Sequence, residues 1–219
     1  MNLLFSSVGK KLQVAITGVF LSTFLIFHLA NNLVLFAGEE YFNQMVFFLE
    51  SIKPVIRIME AGLLFIVCVH VINAIYLTIL NKKASGENQS NVSGKVSSVN
   101  SRTMAISGIT ILLFFVIHLR YIWYTYQAHL FGEGETYYTV LLRNQWGYLG
   151  HTPTAVFYII SIFLIGSHLR HGFSSALKTF GVLENSSFGF LYKLSFIFWA
   201  LIPALFILIV LSIQLGIIK

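Results

Sequence analysis

The chain has 219 residues, of which 57% are hydrophobic, 16% aromatic and 10% charged, with a net charge of +6 and no aspartate. Soluble domains carry about a quarter charged residues, so this composition excludes an ordinary soluble enzyme and a disordered chain, and makes nucleic acid an unsuitable partner for the positive charge. The single cysteine, Cys68, lies inside an apolar run, which excludes disulfides, cysteine-ligated iron–sulfur clusters and CxxCH haem attachment.

In chain order, five stretches near 12–36, 55–80, 103–128, 154–177 and 190–217 are long enough to cross about 30 Å of hydrocarbon. The expected fold is an all-α integral membrane protein, one five-helix transmembrane domain over 1–219. Lys10 and Lys11 precede the first stretch without a small-residue cleavage site after it, which reads as a retained span. Residues 81–102 form a polar Ser/Asn/Gly loop. The connections at 37–54 and 129–153 are mixed in charge and carry aromatics. The N-terminus, the 81–102 loop and the 170–193 connection hold nine cations against Glu87 and Glu184; the other side holds five cations against six glutamates. That asymmetry places the N-terminus inside. No GxGxxG or GxxxxGK[ST] motif argues for a dinucleotide or ATP.

Four of the seven histidines, His28, His70, His118 and His168, fall deep in four different spans. Ionisable side chains at membrane depth are costly and mark function. At 1.5 Å per residue His28 lies about 25 Å and His118 about 22 Å from the inner face, whereas His70 and His168 lie at about 15–18 Å. They sort into an outer pair on spans 1 and 3 and an inner pair on spans 2 and 4. Two histidines facing each other across a bundle can supply both axial ligands of a b-type haem, so two pairs point to two haems stacked across the membrane. Zinc would want more ligands at one site.

A repeat supports this pairing. Thr17-Gly18, nine residues, then His28-Leu29 aligns without gaps on Ser107-Gly108, nine residues, then His118-Leu119. Thr17 and Ser107 stand about 16 Å below their histidines, level with the inner pair. They are expected to contact the inner cofactor, with Gly18 and Gly108 giving its ring room. Small groups also share the other faces: Asn73 and Ala74 beside His70, and Ser161, Gly172 and Ser175 beside His168. Arg120, Arg143 and Trp146 outside, and Arg170 and His171 inside, are candidates for the haem propionates.

The segments TGVFLSTFLIFHLANNL, SRTMAISGITILLFFVIHL and HLRHGFSSALKTFGV, with a weaker match at IMEAGLLFIVCVH, resemble the cytochrome b558 membrane-anchor subunit of succinate:quinone oxidoreductases. The likeness is to the single-chain, five-helix, di-haem type of bacterial succinate dehydrogenases and fumarate reductases, and it extends over essentially the whole chain. It implies His28 and His118 as ligands of an outer haem, His70 and His168 as ligands of an inner one, and His168, not His171, as the ligand within HLRHG. It also implies two haem b, a quinone substrate of the menaquinone type, flavoprotein and iron–sulfur partner subunits on the inner face, and a multi-pass location in the bacterial inner membrane. One branch carries a Glu two residues before the span-4 ligand, where this chain has Gly166. The quinone-site position of that branch falls on Gln44, with Glu50 and Asn43 as the neighbouring candidates. A cytochrome b anchor of a hydrogenase or formate dehydrogenase, a transporter with a histidine pathway, and a bare structural anchor are the alternatives.

Overall fold

The computed structural model describes residues 6–87, 95–182 and 187–219. Five helical segments in it are long and apolar enough to cross a membrane: Ser7–Ala37, Lys53–Asn81, Met104–Gln127, Thr152–Thr179 and Gly189–Gln214. They fall on the five expected spans.

Helix α1 (Ser7–Leu33) starts where the Ser6 side chain accepts from the Gly9 amide at 3.1 Å, satisfying one of the amides a helix start leaves unpaired. Its 27 residues extend about 40 Å, enough to span the hydrocarbon. A 3₁₀ turn over Val34–Ala37 and Gly38, with φ of 96°, then bend the chain into α2 (Glu39–Ser51). Glu39 and Glu40 occupy the first turn of α2, where the helix dipole favours negative charge. This helix buries Phe42 and Val46 and leaves Tyr41, Phe47 and Phe48 exposed.

Helix α3 (Lys53–Glu87) returns, and α4 (Lys95–His118) follows after the described residues resume. Both extend into what the sequence marks as a polar loop at 81–102; residues 88–94 lie outside the described residues. The apolar span and the helix do not end together, because Lys, Ala and Glu continue a helix readily outside the bilayer. Beyond His118 the helix widens into a π-turn over Leu119–Trp123 before α5 (Tyr124–Gln127). The short α6 (Tyr137–Leu141) is closed by a capping box at Thr136. Then α7 (Thr152–Thr179) begins with a proline in its first turn, where a missing amide proton costs nothing. The last span consists of α8 (Ser187–Leu194), a π-turn over Ile197–Leu201 and α9 (Ile202–Gln214).

α1 packs along α3 on one side and α7 on the other, and α7 also packs against α4 and α9. α7 is therefore central, and it buries small groups to allow this: Thr154, Ala155, Ser161, Gly166 and Ala176. At Gly166 an added Cβ would stand 2.8 Å from the Trp199 carbonyl oxygen and 3.4 Å from Pro203 Cγ. Close backbone approach through small residues is how helices associate where lipid removes the hydrophobic incentive. A side chain as large as glutamate has no room at this position. Among the described residues, α3 and α4 touch little, so the bundle is loosest on the side between them.

The molecule has two unlike ends. The near end carries the start of α1. The far end is covered by α2, α6 and the C-terminal residues: the Tyr138 amide donates to Asn43 Oδ1 at 3.1 Å and the Tyr138 hydroxyl to the Lys219 carbonyl at 3.4 Å.

Candidate functional site

The four span histidines stand in the middle of this bundle, one each on α1, α3, α4 and α7, and each is only half-buried. His28 and His118 face each other with ring centroids 5.7 Å apart and planes at 87°. They join α1 to α4, two helices on opposite corners of the bundle. Aromatic rings hold them: Phe24 stacks on His28 at 5.4 Å and Phe206 approaches it at 5.5 Å, while Phe114 stacks on His118 at 5.6 Å. The Tyr158 hydroxyl lies 3.4 Å from His118 Nδ1.

His70 and His168 are held differently. The Thr17 hydroxyl donates to the Gln13 carbonyl at 2.6 Å, which leaves its oxygen to accept from His70 Nδ1 at 3.0 Å. The Ser107 hydroxyl donates to the Met104 carbonyl at 3.0 Å and accepts from His168 Nδ1 at 3.2 Å. With each hydroxyl proton given to a carbonyl, the ring nitrogen is assigned as the donor. That assigns the Nδ1–H tautomer and leaves the Nε2 lone pair free to bind a metal. Because Thr17 and Ser107 each precede a far-level histidine by eleven residues, the two levels are separated by about 16 Å along the bundle.

The repeat thus has a structural meaning the sequence did not disclose. Thr17 and Ser107 bond the near-level histidines themselves. Gly18 makes room for the same ring: an added Cβ there would meet His70 Cε1 at 3.4 Å. At Gly108 an added Cβ would meet nothing within 4 Å. Asn73, buried beside His70, donates to Gln13 Oε1 at 2.7 Å and accepts from Lys10 at 3.4 Å, tying α1 to α3.

Toward the near end, Arg170 and His171 line a cleft of about 310 Å³ with Met104, Ser107, Ser167, Ser174 and Tyr192. Arg170 also lies over the Trp199 ring at 5.1 Å. At the far end Arg143 pairs with Glu135 and donates to the Tyr148 hydroxyl at 2.9 Å and the Leu130 carbonyl at 2.8 Å. The Arg143 bonds and the Gly132 amide hold the Glu135 carboxyl down to about 2. Arg120 is exposed over Tyr121 and Tyr124, and Trp146 is exposed beside His151. The quinone-site candidates lie on α2: Asn43 receives the Tyr138 amide, Gln44 donates to Glu40 at 3.2 Å, and Glu50 pairs with Lys53 at 2.8 Å.

A group the sequence reading passed over links α3 to α4 and α5. Glu60 Oε2 accepts from Arg57 at 2.6 Å and Glu60 Oε1 from Trp123 Nε1 at 2.8 Å, while Arg57 also donates to Gln127. The available signal was a carboxylate well inside a span with an arginine one turn before it.

The donor set fits a haem bound by two imidazoles. Three of the four rings have their Nδ1 engaged by a hydroxyl, and Ser161 Oγ, fully buried on α7 between the two levels, has no hydrogen-bond partner. Among the described residues the histidines form pairs, not groups of three or more metal-binding side chains. A haem iron needs only two axial ligands from protein, whereas zinc takes three or four.

Comparison with known proteins gives the same direction. Residues 13–99 match the family of succinate dehydrogenase/fumarate reductase transmembrane subunits. That stretch, about two fifths of the chain, takes in His28 and His70 on the first two spans. No curated protein and no solved structure matches the chain.

Proposed function

We propose that the chain is the di-haem cytochrome b anchor of a succinate:quinone oxidoreductase, carrying electrons between an iron–sulfur subunit on the cytoplasmic face and a quinone near the outer face. The observation that carries this reading is the facing pair His28–His118 at one level, with His70 and His168 at the other each held at Nδ1 by a hydroxyl of the neighbouring helix, Thr17 and Ser107. Haem iron, when bound, supplies one-electron redox chemistry at each level. Everything else falls to the side chains. His70 and His168 would hold the near haem, and His28 and His118 the far one. A hydrogen bond to Nδ1 raises the basicity of the ligating nitrogen and sets the ring plane. The aromatic surroundings of the far pair exclude water and lower the local dielectric.

The lysine and arginine bias makes the near end cytoplasmic, so the flavoprotein and iron–sulfur subunits would dock there, beside the cleft at Arg170 and His171. The reading includes menaquinone as the quinone and leaves the dicarboxylate chemistry to the flavoprotein subunit.

The test is a reduced-minus-oxidised spectrum of the purified complex with haem quantified chemically. Two b haems per chain are expected, falling to one in His70→Ala or His168→Ala. Retention of both haems in either variant breaks the near pairing; absence of haem in the assembled parent overturns the reading. A copurifying hydrogenase or formate dehydrogenase subunit in place of the flavoprotein would favour the other quinone-linked anchors.

A further inference from the structure

The Glu60 bridge is poorly explained as scaffolding. Glu60 lies seven residues past Lys53 in its span, about 10 Å along the helix. Charged groups at such depth are expensive. Yet the pair is not packed away: the Arg57 and Glu60 side chains are 37% and 28% exposed, and Trp123 is 38% exposed.

Its position accounts for it better. Trp123 is five residues beyond His118, about 8 Å further toward the far end. It closes the π-turn Leu119–Trp123 that follows that histidine, and π-turns inside helices occur frequently at functional sites. The bridge crosses the loosest side of the bundle, between α3 and α4. Two residues on, an added Cβ at Gly62 would meet nothing within 4 Å. An exposed indole, an arginine over its face at 5.6 Å and a carboxylate thus meet on a partly exposed surface between α3 and the π-turn, about 8 Å along the bundle from the level of His118. A molecule with a polar aromatic head and a hydrocarbon tail fits this place: head against Trp123 and Arg57, tail in lipid.

We infer that this cluster is the quinone site and that Glu60 exchanges the proton with the quinone oxygen. The inference rests on the electron-transfer reading above. Reduction of a quinone to the quinol takes two electrons, delivered one at a time from the histidine-lined interior and ultimately released by succinate oxidation, and one proton at each ring oxygen. Glu60 takes up one proton from water at the far end and passes it to the oxygen nearest it; the second oxygen takes its proton from water. Quinol oxidation reverses the sequence, with Glu60 as acceptor. Each carboxylate oxygen keeps a lone pair beyond those given to Arg57 and Trp123.

The experiment is E60Q, with E60D beside it, in the complete complex, reading haem content, thermal stability of the haem spectrum, succinate-driven haem reduction and quinone reduction against pH. E60Q is expected to keep both haems and their reduction by succinate. Quinone reduction should fall by roughly 10²-fold or more, the range for loss of general acid–base help, with its pH dependence flattened and partly restored in E60D. Quinone turnover and pH profile within about twofold of the parent would overturn the assignment. So would a turnover loss that merely follows lost haem or a lower melting temperature, which would make the bridge a structural tie. If the parent lacks haem, the electron-transfer reading itself fails, and with it this assignment.

Discussion

The two histidine levels are held by opposite means. At the near level each ring is fixed by one hydrogen bond to a hydroxyl on an adjacent helix, Thr17 to His70 and Ser107 to His168. At the far level the rings of His28 and His118 are set by stacking on Phe24 and Phe114 and by Phe206, with one long contact from Tyr158. Hydrogen bonds specify direction and tautomer; aromatic packing specifies position and dryness. The near level is accordingly polar and addressable by single hydroxyls, and the far level is robust to them.

The largest effect that could break this contrast comes from removing the hydroxyls. On the di-haem reading proposed above, Ser107→Ala and Thr17→Val should weaken haem retention at the near level by roughly 10- to 100-fold and raise the midpoint potential of that haem alone, since its ligand loses basicity. Tyr158→Phe should leave the far haem nearly unchanged, within the ~0.5–1.5 kcal/mol of one hydrogen bond. Redox titration of all three variants checks this. Equal responses at both levels would show that the levels are not held by different means.

A smaller effect tests whether α7 sets both levels at once. Gly166→Ala places a methyl 2.8 Å from the Trp199 carbonyl, so α7 and the last span must separate, at a cost of about 1–3 kcal/mol. Thermal unfolding followed at the two haem spectra should show both weakened, because α7 carries His168 and Tyr158. A change confined to one haem would mean that the levels are supported separately.

The smallest effect lies in the far-end cover. Glu135 is depressed from 4.5 to about 2 by Arg143 and the Gly132 amide, so this contact is fully present above pH about 4.5 and is lost as pH falls toward 2. The pair is partly exposed and adds little to overall stability. The expected readout is faster amide exchange over residues 130–143 as pH falls through that window, after correction for the intrinsic pH dependence of exchange, with exchange at the near end following only its intrinsic rate. Glu135→Gln should remove the pH response.

Much of this architecture was legible in the sequence. The five spans follow from apolar length, and the two levels from the depth of four histidines in different spans, because a polar group in hydrocarbon must be placed deliberately. The repeat pointed to the right depth for Thr17 and Ser107, but their partners are 53 and 61 residues away, and helical spacing alone does not say which ring arrives there. The cover formed by α2 and α6 read as mixed connections, since short helices with aromatics on several faces have no clean periodicity. Glu60 and Trp123 were invisible as a pair for the same reason as the hydroxyls: 63 residues separate them. Gly166 read as a missing glutamate, and only the packed neighbour explains the glycine.

The placement of the hydroxyls has one more consequence. Thr17 and His70 both belong to the packed couple of α1 and α3, and Ser107 and His168 to the couple of α4 and α7. Interchanging these couples maps each histidine and each hydroxyl onto its counterpart, while α9 has none. The chain is built as two like hairpins plus an added helix. Each hairpin orders its own near-level ring, but no ligand pair is complete within one hairpin. Any group clasped by a pair therefore rivets the halves together, and by mass action the assembled chain should resist separation of its hairpins in proportion to how tightly that group is held.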